Sequence, residues 1–329
     1  MRLSVLDQTP VPEGTSRPDA LRNTLDLAQL ADRLGYHRYW LAEHHGLALA
    51  GPAPEVLAGP VAAATERIRV GSGGVMLPHY SPFKVAESFS LLAGLFPGRI
   101  DLALGRASGT DPLTTFALQR DRREVSPDDF PQQLAELLAH YDGTMPPDHP
   151  FAKLGESLPG SPERPEIWLL GSSAQSAEWA VQLDLPYAFA DFINPTGAEI
   201  TRSYRERAPN PQVAIGVWAI AADSDEEAER LGASIAMSFA MLRQGRPIPV
   251  PEPERAMRYL AQHGDPHKGR RRIIGTPDKV RAGIEQVAEE YGADEVIVVT
   301  ITHDHGARRH SYELIAEAFE LAPAAARAA

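Results

Sequence analysis

Cysteine is absent from the 329-residue sequence. Its absence excludes disulfide bonds, catalysis by a thiolate, iron–sulfur clusters and cysteine-based zinc sites. Any demanding chemistry must therefore come from another side chain or from a bound cofactor.

Positive charge and long apolar runs are also scarce. The chain has 32 Lys and Arg residues against 44 Asp and Glu, a formal net charge of −12. This argues against a general nucleic-acid binder, because phosphate recognition relies on clustered Lys and Arg. No apolar run approaches the ~18 residues of a membrane span, and residues 1–8 lead straight into an apolar strand rather than a signal-type segment. We therefore expect a soluble, cytoplasmic protein without a nucleic-acid or membrane partner.

Apolar runs of strand length recur eight times, and each is followed by a helical pattern. Such alternation is typical of parallel strands covered by helices, and eight units fit a closed barrel better than an open sheet. A barrel of this kind takes about 250 residues and tolerates insertions. The sequence thus predicts an α/β fold, a (β/α)8 TIM barrel, with strands at residues 3–6, 39–42, 68–77, 100–104, 167–170, 187–193, 213–221 and 296–301.

Two insertions interrupt the alternation, one after strand four and one after strand seven. The first covers about residues 108–165 and is rich in Pro and Gly, and the second covers residues 244–274. Neither has the apolar content for a core of its own. We therefore expect a single barrel domain over residues 1–329, with a frayed alanine-rich tail at 323–329.

The second insertion has the composition of a mobile lid. Alternate prolines favour an extended path, an amphipathic pattern follows at residues 254–262, and a basic cluster lies at residues 268–272. Long irregular segments in compact domains are commonly lids or binding loops, so we expect this one to cover the active site. The alternative is a solvated surface loop whose arginines only balance nearby acidic residues.

Several helix starts can be located from capping patterns. Thr196 with Glu199, and Ser224 with Glu227, have the spacing of a capping box, in which each side chain caps the other residue's backbone. A hydroxyl residue directly before a proline is typical of an N-cap before the first helical residue. This pattern occurs at Ser81, Ser126 and Thr276.

Polar residues directly after the strands are the active-site candidates, since barrel enzymes place their active sites at the carboxyl ends of the strands. Strand two is followed by Glu43, His44 and His45, which are residue types that can bind metal. Successive side chains of a strand point to opposite faces, so three convergent ligands are not expected. If Ala42 faces the barrel interior, His44 does too, and a neutral imidazole there could act as a general acid or base. The alternative is that the histidines only form hydrogen bonds with neighbouring loops.

Glycines mark the end of strand three. In Gly71-Ser72-Gly73-Gly74 the G-x-G-x-x-G spacing of a dinucleotide fingerprint is absent. Gly73 and Gly74 would instead permit unusual backbone conformations and the close approach of a flat ligand. A simple glycine turn is the alternative.

Two further strand ends carry groups that could bind an anion. Arg106 follows strand four and needs an anionic partner, either a protein carboxylate or a ligand phosphate. Gly171, Ser172 and Ser173 open the helix after strand five, where hydroxyls and free backbone N–H groups can receive a phosphate. Ordinary helix capping is the alternative for the serines.

Taken in order, these motifs resemble the bacterial luciferase-like flavin-dependent monooxygenases over most of the chain. The resemblance rests on Trp-Leu-Ala-Glu-His-His at residues 40–45 and on the glycine stretch ending in Leu-Pro at 71–78. It also rests on Gly-Arg followed by a strand that ends in Arg, at 98–106. The turn after strand five and its Ala-Glu-Trp-Ala helix are similar to the family as well.

The resemblance implies a flavoprotein that uses FMN in its reduced form, FMNH2, with molecular oxygen. It implies that a peroxyflavin oxidises a small organic substrate, that a separate NAD(P)H:flavin reductase supplies the flavin, and that His44 is catalytic. It further implies a homodimer formed through helices beside strands two and three. The flavin ring would lie against a non-proline cis peptide between Gly73 and Gly74, and the phosphate would bind at Arg106, Gly171, Ser172 and Ser173.

The sequence also departs from the luciferase pattern. Gly105 stands where luciferase has a larger side chain, and the phosphate turn reads Gly-Ser-Ser-Ala-Gln rather than the acidic type. Aldehyde oxidation and light emission are therefore not carried over. Three alternatives remain open at this point: F420-dependent hydride transfer on the same barrel, a flavin-binding protein without turnover, and a metal-dependent hydrolase using Glu43, His44 and Asp304.

Overall fold

The structure is a computed structural model that describes residues 1–106, 110–119, 129–264 and 271–322. Its strands are β1 Arg2–Asp7, β2 Arg38–Leu41, β3 Arg69–Met76, β4 Ile100–Gly105, β5 Glu166–Gly171, β6 Tyr187–Ala190, β7 Val213–Ala221, β8 Ile273–Gly275 and β9 Glu295–Val299. The helices are α1 Arg17–Leu34, α2 Pro54–Ala63, α3 Pro82–Leu95, α4 Pro112–Leu118, α5 Phe130–Asp142, α6 Ala174–Gln182, α7 Ala198–Arg207, α8 Asp225–Arg243, α9 Pro253–His263, α10 Pro277–Tyr291 and α11 His305–Ala318.

Eight of these strands close into a parallel barrel. The order is β6-β5-β4-β3-β2-β1-β9-β7, and pairing of β6 with β7 closes the ring. The (β/α)8 prediction is thus confirmed, and all eight predicted strands are present with small shifts in their ends. The sixth ends at Ala190, three residues earlier than predicted.

One strand, β8, was not predicted. It runs from Ile273 to Gly275 and pairs with the last residues of β7, from Ala219 to Ala221. It begins inside the stretch that the sequence assigns to the second insertion. A run of three residues is too short to show a periodic pattern, which explains why it was missed.

Alternation along the strands produces two apolar layers. One face of each strand packs against the surrounding helices, as Tyr39 and Leu41 do. The other face fills the barrel interior with a second cluster that includes Trp40, Ala42 and Trp168. Side chains two residues apart on a strand share a face, so the end of β2 determines which later side chains reach the barrel mouth.

A buried charged layer closes the amino-terminal end of the barrel. The Arg38 guanidinium is 2% exposed and lies 2.9 Å from Asp101, 3.0 Å from Glu295 and 3.1 Å from Glu166. It also lies 4.6 Å from the ring centroid of Trp168. A buried charge of this kind is tolerated only when it is paired and hydrogen-bonded. The carboxyl-terminal end of the barrel is therefore the end available for a site.

Helix starts follow the predicted positions only in part. Ser224 caps α8 by accepting a hydrogen bond from the Glu227 N–H, whereas the Glu227 carboxylate binds Arg230. The Thr196 prediction was wrong, because α7 begins at Ala198 after Gly197 and the Thr196 hydroxyl donates to Asn194. Ser81 and Thr276 hold N-cap positions without a side-chain cap hydrogen bond, and Ser126 lies outside the described residues.

The predicted lid is anchored in its described part. Val250 is 3% exposed and belongs to the barrel-interior cluster, and its N–H donates to Val11 O at 2.9 Å. Arg271 pairs with Glu290 at 2.7 Å and Arg272 with Glu229 at 2.6 Å. These pairs agree with the alternative in which the arginines balance nearby acids. Positions 268–270 of the basic cluster lie outside the described residues.

Among the helices of the described ranges, none combines the length and apolar character that crossing a membrane would require.

Candidate active site

A cleft of about 290 Å³ opens at the carboxyl ends of the barrel strands. Its volume is close to the lower end of the range for small-molecule sites, roughly 300 to 1,000 Å³. All the site residues predicted from the sequence line this one cleft: His44, Gly73, Gly74, Arg106, Gly171, Ser172 and Ser173.

His44 reaches the cleft because of the alternation at the end of β2. Ala42 and His44 both line the cavity, whereas Glu43 is fully buried on the other side. Glu43 accepts a hydrogen bond from the Met76 N–H at 2.8 Å and lies 2.9 Å from His45 Nε2. The backbone N–H of His44 donates to Gly51 O at 3.2 Å, which helps to hold the turn.

The wall of the cleft at the end of β3 is built from glycine. The peptide bond between Gly73 and Gly74 is cis, as the resemblance implied. A Cβ on Gly73 would lie 2.7 Å from Leu6 Cδ1, and one on Gly74 would lie 2.5 Å from the Ala103 carbonyl oxygen. Side chains at these two positions would therefore collide with the barrel interior. Their absence lets the backbone itself form a flat surface for a ligand.

The groups predicted to bind an anion follow β4 and β5, the strands that come next to β3 in the barrel. Arg106 is exposed, and its guanidinium carbon lies 5.4 Å from the Trp179 ring centroid. Ser173 is the N-cap of α6 and accepts from the Ser176 N–H. A Cβ on Gly171 would lie 2.0 Å from Ser176 Oγ, so only glycine permits this tight turn. A cation and a helix N-terminus are thereby brought to one cavity, where an anion is favoured.

Ser176 is a lining residue that sequence reasoning missed. Its hydroxyl is 2.8 Å from the Tyr187 hydroxyl and also donates to Ser173 O at 2.8 Å. Burial raises the pKa of Tyr187 to about 12, so the phenol stays protonated near neutral pH. The available signal was the spacing of three residues from the N-cap Ser173, the position that faces a helix N-terminus.

The remaining walls are apolar and aromatic. Leu6 and Trp40 lie toward the barrel interior, and Phe130, Trp179 and Phe192 contribute rings. Phe192 stacks on Trp218 with ring centroids 5.5 Å apart and an interplanar angle of 14°. Such walls exclude water and favour a flat or apolar ligand. Leu6, Trp40 and Phe192 lie in predicted strands, where an apolar residue type by itself does not indicate a site.

Two other polar residues near strand ends, Asp7 and Asp304, form contacts away from the cleft. Asp7 points away from the cleft and pairs with Arg308 at 2.7 Å, whereas its neighbour Gln8 lines the cavity. Asp304 caps α11 by accepting from the Ala307 N–H. Within the described ranges, the set Glu43, His44 and Asp304 is not among the groups placed to hold a metal ion. The geometry thus gives no support to the hydrolase alternative.

Burial and charge perturb two groups beside Glu43. Burial, together with the nearby Glu43 carboxylate, raises the pKa of Glu55. Burial, with the Glu43 and Glu55 carboxylates, raises the pKa of Tyr80 well above its ordinary value. Tyr80 therefore remains a neutral hydrogen-bond donor between two carboxylates.

The fold and the site define a (β/α)8-barrel protein with a cleft at one end of the barrel. This cleft suits a flat ligand bearing an anionic group. Comparison with known families makes this specific, because the model of the luciferase-like monooxygenases matches residues 1–295. The chain belongs to the luciferase-like monooxygenase family, and it is an oxidoreductase of the class that incorporates molecular oxygen.

Curated relatives align over nearly the whole chain. A luciferase-like monooxygenase of Escherichia coli strain K12 is 42% identical over 325 residues, covering 94% of this chain and 95% of the relative. An N-acetyl-S-alkylcysteine monooxygenase of Bacillus subtilis strain 168 is 38% identical over 331 residues, covering 97% of this chain and 98% of the relative.

Solved structures give the same picture. Apo-MsnO8 matches with a TM-score of 0.90 and 41% identity, covering 98% of this chain and 99% of that one. The oxygenating constituent of 3,6-diketocamphane monooxygenase from Pseudomonas putida, solved with FMN, has a TM-score of 0.72 at 20% identity, with 98% of each chain covered. At that identity the second likeness concerns the fold alone.

Proposed function

We propose that this chain is an FMN-dependent monooxygenase that receives FMNH2 from a separate NAD(P)H:flavin reductase and oxidises a small organic substrate with O2. The observation that carries the proposal is the composition of the cleft. Anion-binding groups, a glycine wall and one imidazole all line the same cavity. The flavin, when bound, supplies the oxygen chemistry.

The residues of the cleft fit FMN part by part. Arg106 and the serine turn at the start of α6 suit the phosphate, since a guanidinium and a helix N-terminus both favour a dianion. The glycine wall at Gly73 and Gly74 suits the planar ring, because no side chain keeps it from the backbone. The tight turn at Gly171, where a Cβ would collide with Ser176, places Ser172 and Ser173 at the edge of the cleft.

His44 is the residue that we assign to proton transfer. It lines the cleft, and an imidazole can hold or release a proton near neutral pH. The apolar walls around it exclude water, which favours productive oxidation of substrate over wasteful side reactions. This role also separates an active enzyme from a flavin-binding protein without turnover.

The substrate is proposed to be small and largely apolar in the part that enters the cleft. The rings of Phe130, Trp179 and Phe192 favour such a group. One relative is named for an N-acetyl-S-alkylcysteine substrate, whose alkyl thioether portion is consistent with these walls.

Reconstitution under anaerobic conditions tests the proposal. Purified protein is titrated with FMNH2 and, in parallel, with reduced F420, and air-saturated buffer is then added. We expect stoichiometric binding of FMNH2 and a rate of flavin reoxidation that differs from that of free FMNH2. Binding of F420 in place of FMNH2 would support hydride transfer, and binding of neither would remove the flavin proposal.

Arg106→Ala tests the phosphate assignment. We expect this change to weaken FMN much more than riboflavin, because riboflavin has the same ring and lacks the phosphate. A charge-assisted contact of this kind contributes about 1.5 to 3 kcal/mol, which corresponds to roughly 10- to 150-fold in Kd. Fluorescence titration with both ligands gives the ratio. Arg22→Ala, at an exposed position on α1, is the matched control, and equal loss for both ligands in Arg106→Ala would contradict the assignment.

A further inference from the structure

Glu43, His45 and His79 form a second cluster of reactive side chains, on the side of β2 opposite to His44. The first two follow β2, and His79 ends the short turn Leu77–His79 that follows β3. The sequence does not show this grouping, because all of α2 and β3 separate His79 from His45. The alternation that sends His44 into the cleft brings Glu43 and His45 to this other side.

The three side chains converge closely enough for shared coordination. One carboxylate oxygen and one ring nitrogen from each histidine lie within 4.8 Å of one another. Glu43 Oε1 and His45 Nε2 are 2.9 Å apart, and the rings of His45 and His79 are 5.8 Å apart between centroids. Ligands on bonds of 2.0 to 2.2 Å in a tetrahedral zinc site lie roughly 3.4 Å apart. Side-chain rotations that move the ligand atoms by about an ångström would therefore bring them to the spacing of a tetrahedral zinc site.

Charge in the cluster favours a cation. Glu43 is fully buried, and the Tyr80 hydroxyl is hydrogen-bonded to the carboxylates of both Glu43 and Glu55. Within the described residues, Glu55 Oε2 is buried without a hydrogen-bond partner. A fully buried carboxylate such as that of Glu43 is tolerated as an anion only with hydrogen-bond donors or positive charge beside it. A divalent ion held by the histidines would supply it.

Neighbouring groups can orient the ligands. The second oxygen of Glu43 accepts from the Met76 N–H at 2.8 Å. Its Oε1 pairs with His45 Nε2, and a metal ion would take the place of the proton between these two atoms. The Gln119 side-chain amide lies 3.0 Å from Nδ1 of His79. The atom that faces Nδ1 is the amide nitrogen; a 180° rotation of the amide would bring its oxygen there, and that oxygen would accept the Nδ1 proton, so that Nε2 would be the unprotonated ring nitrogen. Metal-binding histidines commonly have such a partner on their other nitrogen.

We propose that Glu43, His45 and His79 form a binding site for a divalent first-row transition metal, with Zn²⁺ as the representative ion. Two imidazoles and one carboxylate are a ligand set that suits this class and leaves at least one position for water or a further oxygen. The ion would tie the end of β2 to the turn after β3. Because His44 lies between two ligands in the sequence, occupancy would also fix the backbone that carries His44, a consequence that rests on the proposed function.

Calorimetric titration of EDTA-treated full-length protein with ZnCl2 tests the site. We expect one equivalent to bind in the wild-type protein and the affinity to fall at least tenfold in His79→Gln, which keeps a side chain of similar size. His263→Gln, an exposed histidine at the end of α9, should bind as the wild type does. Unchanged binding in His79→Gln, or no saturable binding in the wild type, would overturn the proposal.

Anomalous diffraction from wild-type crystals grown with Zn²⁺ gives a second measurement that needs no variant. The zinc peak is expected at bonding distance from Glu43, His45 and His79, and a peak placed only elsewhere would overturn the proposal. His44→Gln separates the two sites, since it should keep zinc binding. Loss of zinc binding in His44→Gln with retention in His79→Gln would place the metal in the cleft instead. FMN titration of the same samples reports the proposed function independently.

Discussion

At the scale of single residues, the end of β2 separates two chemistries by one position. Trp40, Ala42 and His44 belong to the inner side, whereas Glu43 and His45 meet behind it. A shift of one residue in register would exchange the two sets. The buried pairing of Tyr39 and Leu41 with the outer apolar layer fixes that register, so packing of ordinary core residues determines where the imidazole lies.

His44→Ala is expected to fold normally and to lose turnover. A general acid or base contributes about 100- to 10,000-fold to rate, and His44 is only partly buried, so its removal should cost little stability. Substrate oxidation at saturating FMNH2 and the melting temperature are measured together. Full activity would reject the proton-transfer role, and a large fall in Tm would favour the hydrogen-bonding alternative. His37→Ala, at the opposite end of the same strand, is the control.

The cleft residues that could be predicted from the sequence are those whose residue type is unusual at the end of a strand. Alternation correctly placed His44 through Ala42, and the glycines and Arg106 were found because their residue types are unusual at strand ends. Alternation could not choose between Asp7 and Gln8 without knowing where β1 ends. The proposed role of His79 could not be derived, because Glu43 and His45 come from a different loop and only the folded chain brings the three together.

At the scale of elements, strands were easier to locate than helix ends or irregular segments. A strand buried on both faces leaves a continuous apolar run, such as Val213–Ala221, which the sequence displays directly. A helix end depends on which local hydrogen bonds form. The Thr196 hydroxyl donates to the Asn194 side chain instead of capping the helix. The path of the second insertion depends on where Val250 docks, and no local pattern encodes that long-range contact.

Val250→Ala is expected to loosen the segment between α8 and α9. The smaller side chain removes buried apolar contacts worth about 1.5 to 3 kcal/mol. Faster hydrogen exchange should appear at the amides of Val250 and Glu13, whose N–H groups donate to Val11 O and Val250 O. Leu113→Ala, at a position 76% exposed on α4, is the control. Rapid exchange at both amides already in the wild type would instead favour the mobile lid.

At the scale of the whole molecule, buried ion pairs join distant parts of the chain. Asp7 at the end of β1 pairs with Arg308 on α11 and accepts hydrogen bonds from Thr24 and Tyr39. Burial alone would raise the pKa of Asp7, but Arg308 and the hydrogen bonds outweigh it and the net pKa is lowered from 3.8. The pair thus links the first strand of the barrel to the last helix.

The free energy of unfolding is expected to fall in acid through Asp7. Its folded pKa is below its unfolded value, so the stabilisation is present above about pH 4 and is lost as the pH falls through the folded pKa. Arg308→Met leaves a buried carboxylate without its partner, which costs about 3 to 5 kcal/mol near neutral pH. Its deficit should shrink in acid, as protonation relieves the buried charge. Urea unfolding across this pH range checks both, with the exposed-site variant Arg22→Met as control; a deficit independent of pH would contradict the assignment.

We also expect a homodimer that uses the outer faces of α2 and α3. Val56, Leu91 and Leu95 are 68%, 49% and 64% exposed there, and exposed apolar side chains of this size favour association. Leu91→Glu with Leu95→Glu should shift the protein to monomer in sedimentation analysis. Leu113→Glu, at a position 76% exposed on α4, should not. A wild-type protein that sediments as a monomer would exclude the interface.

The charged layer around Arg38 has a kinetic consequence. The amino end of the barrel is filled by buried ion pairs and by the rings of Trp40 and Trp168. In the proposed reaction, flavin, oxygen and substrate would therefore all enter through the mouth at the carboxyl ends. If bound substrate covers the flavin, the flavin must bind first and the substrate second, because both use the same opening. Substrate that enters before the flavin would block it, so turnover should decline at high substrate concentration and recover when more reduced flavin is supplied.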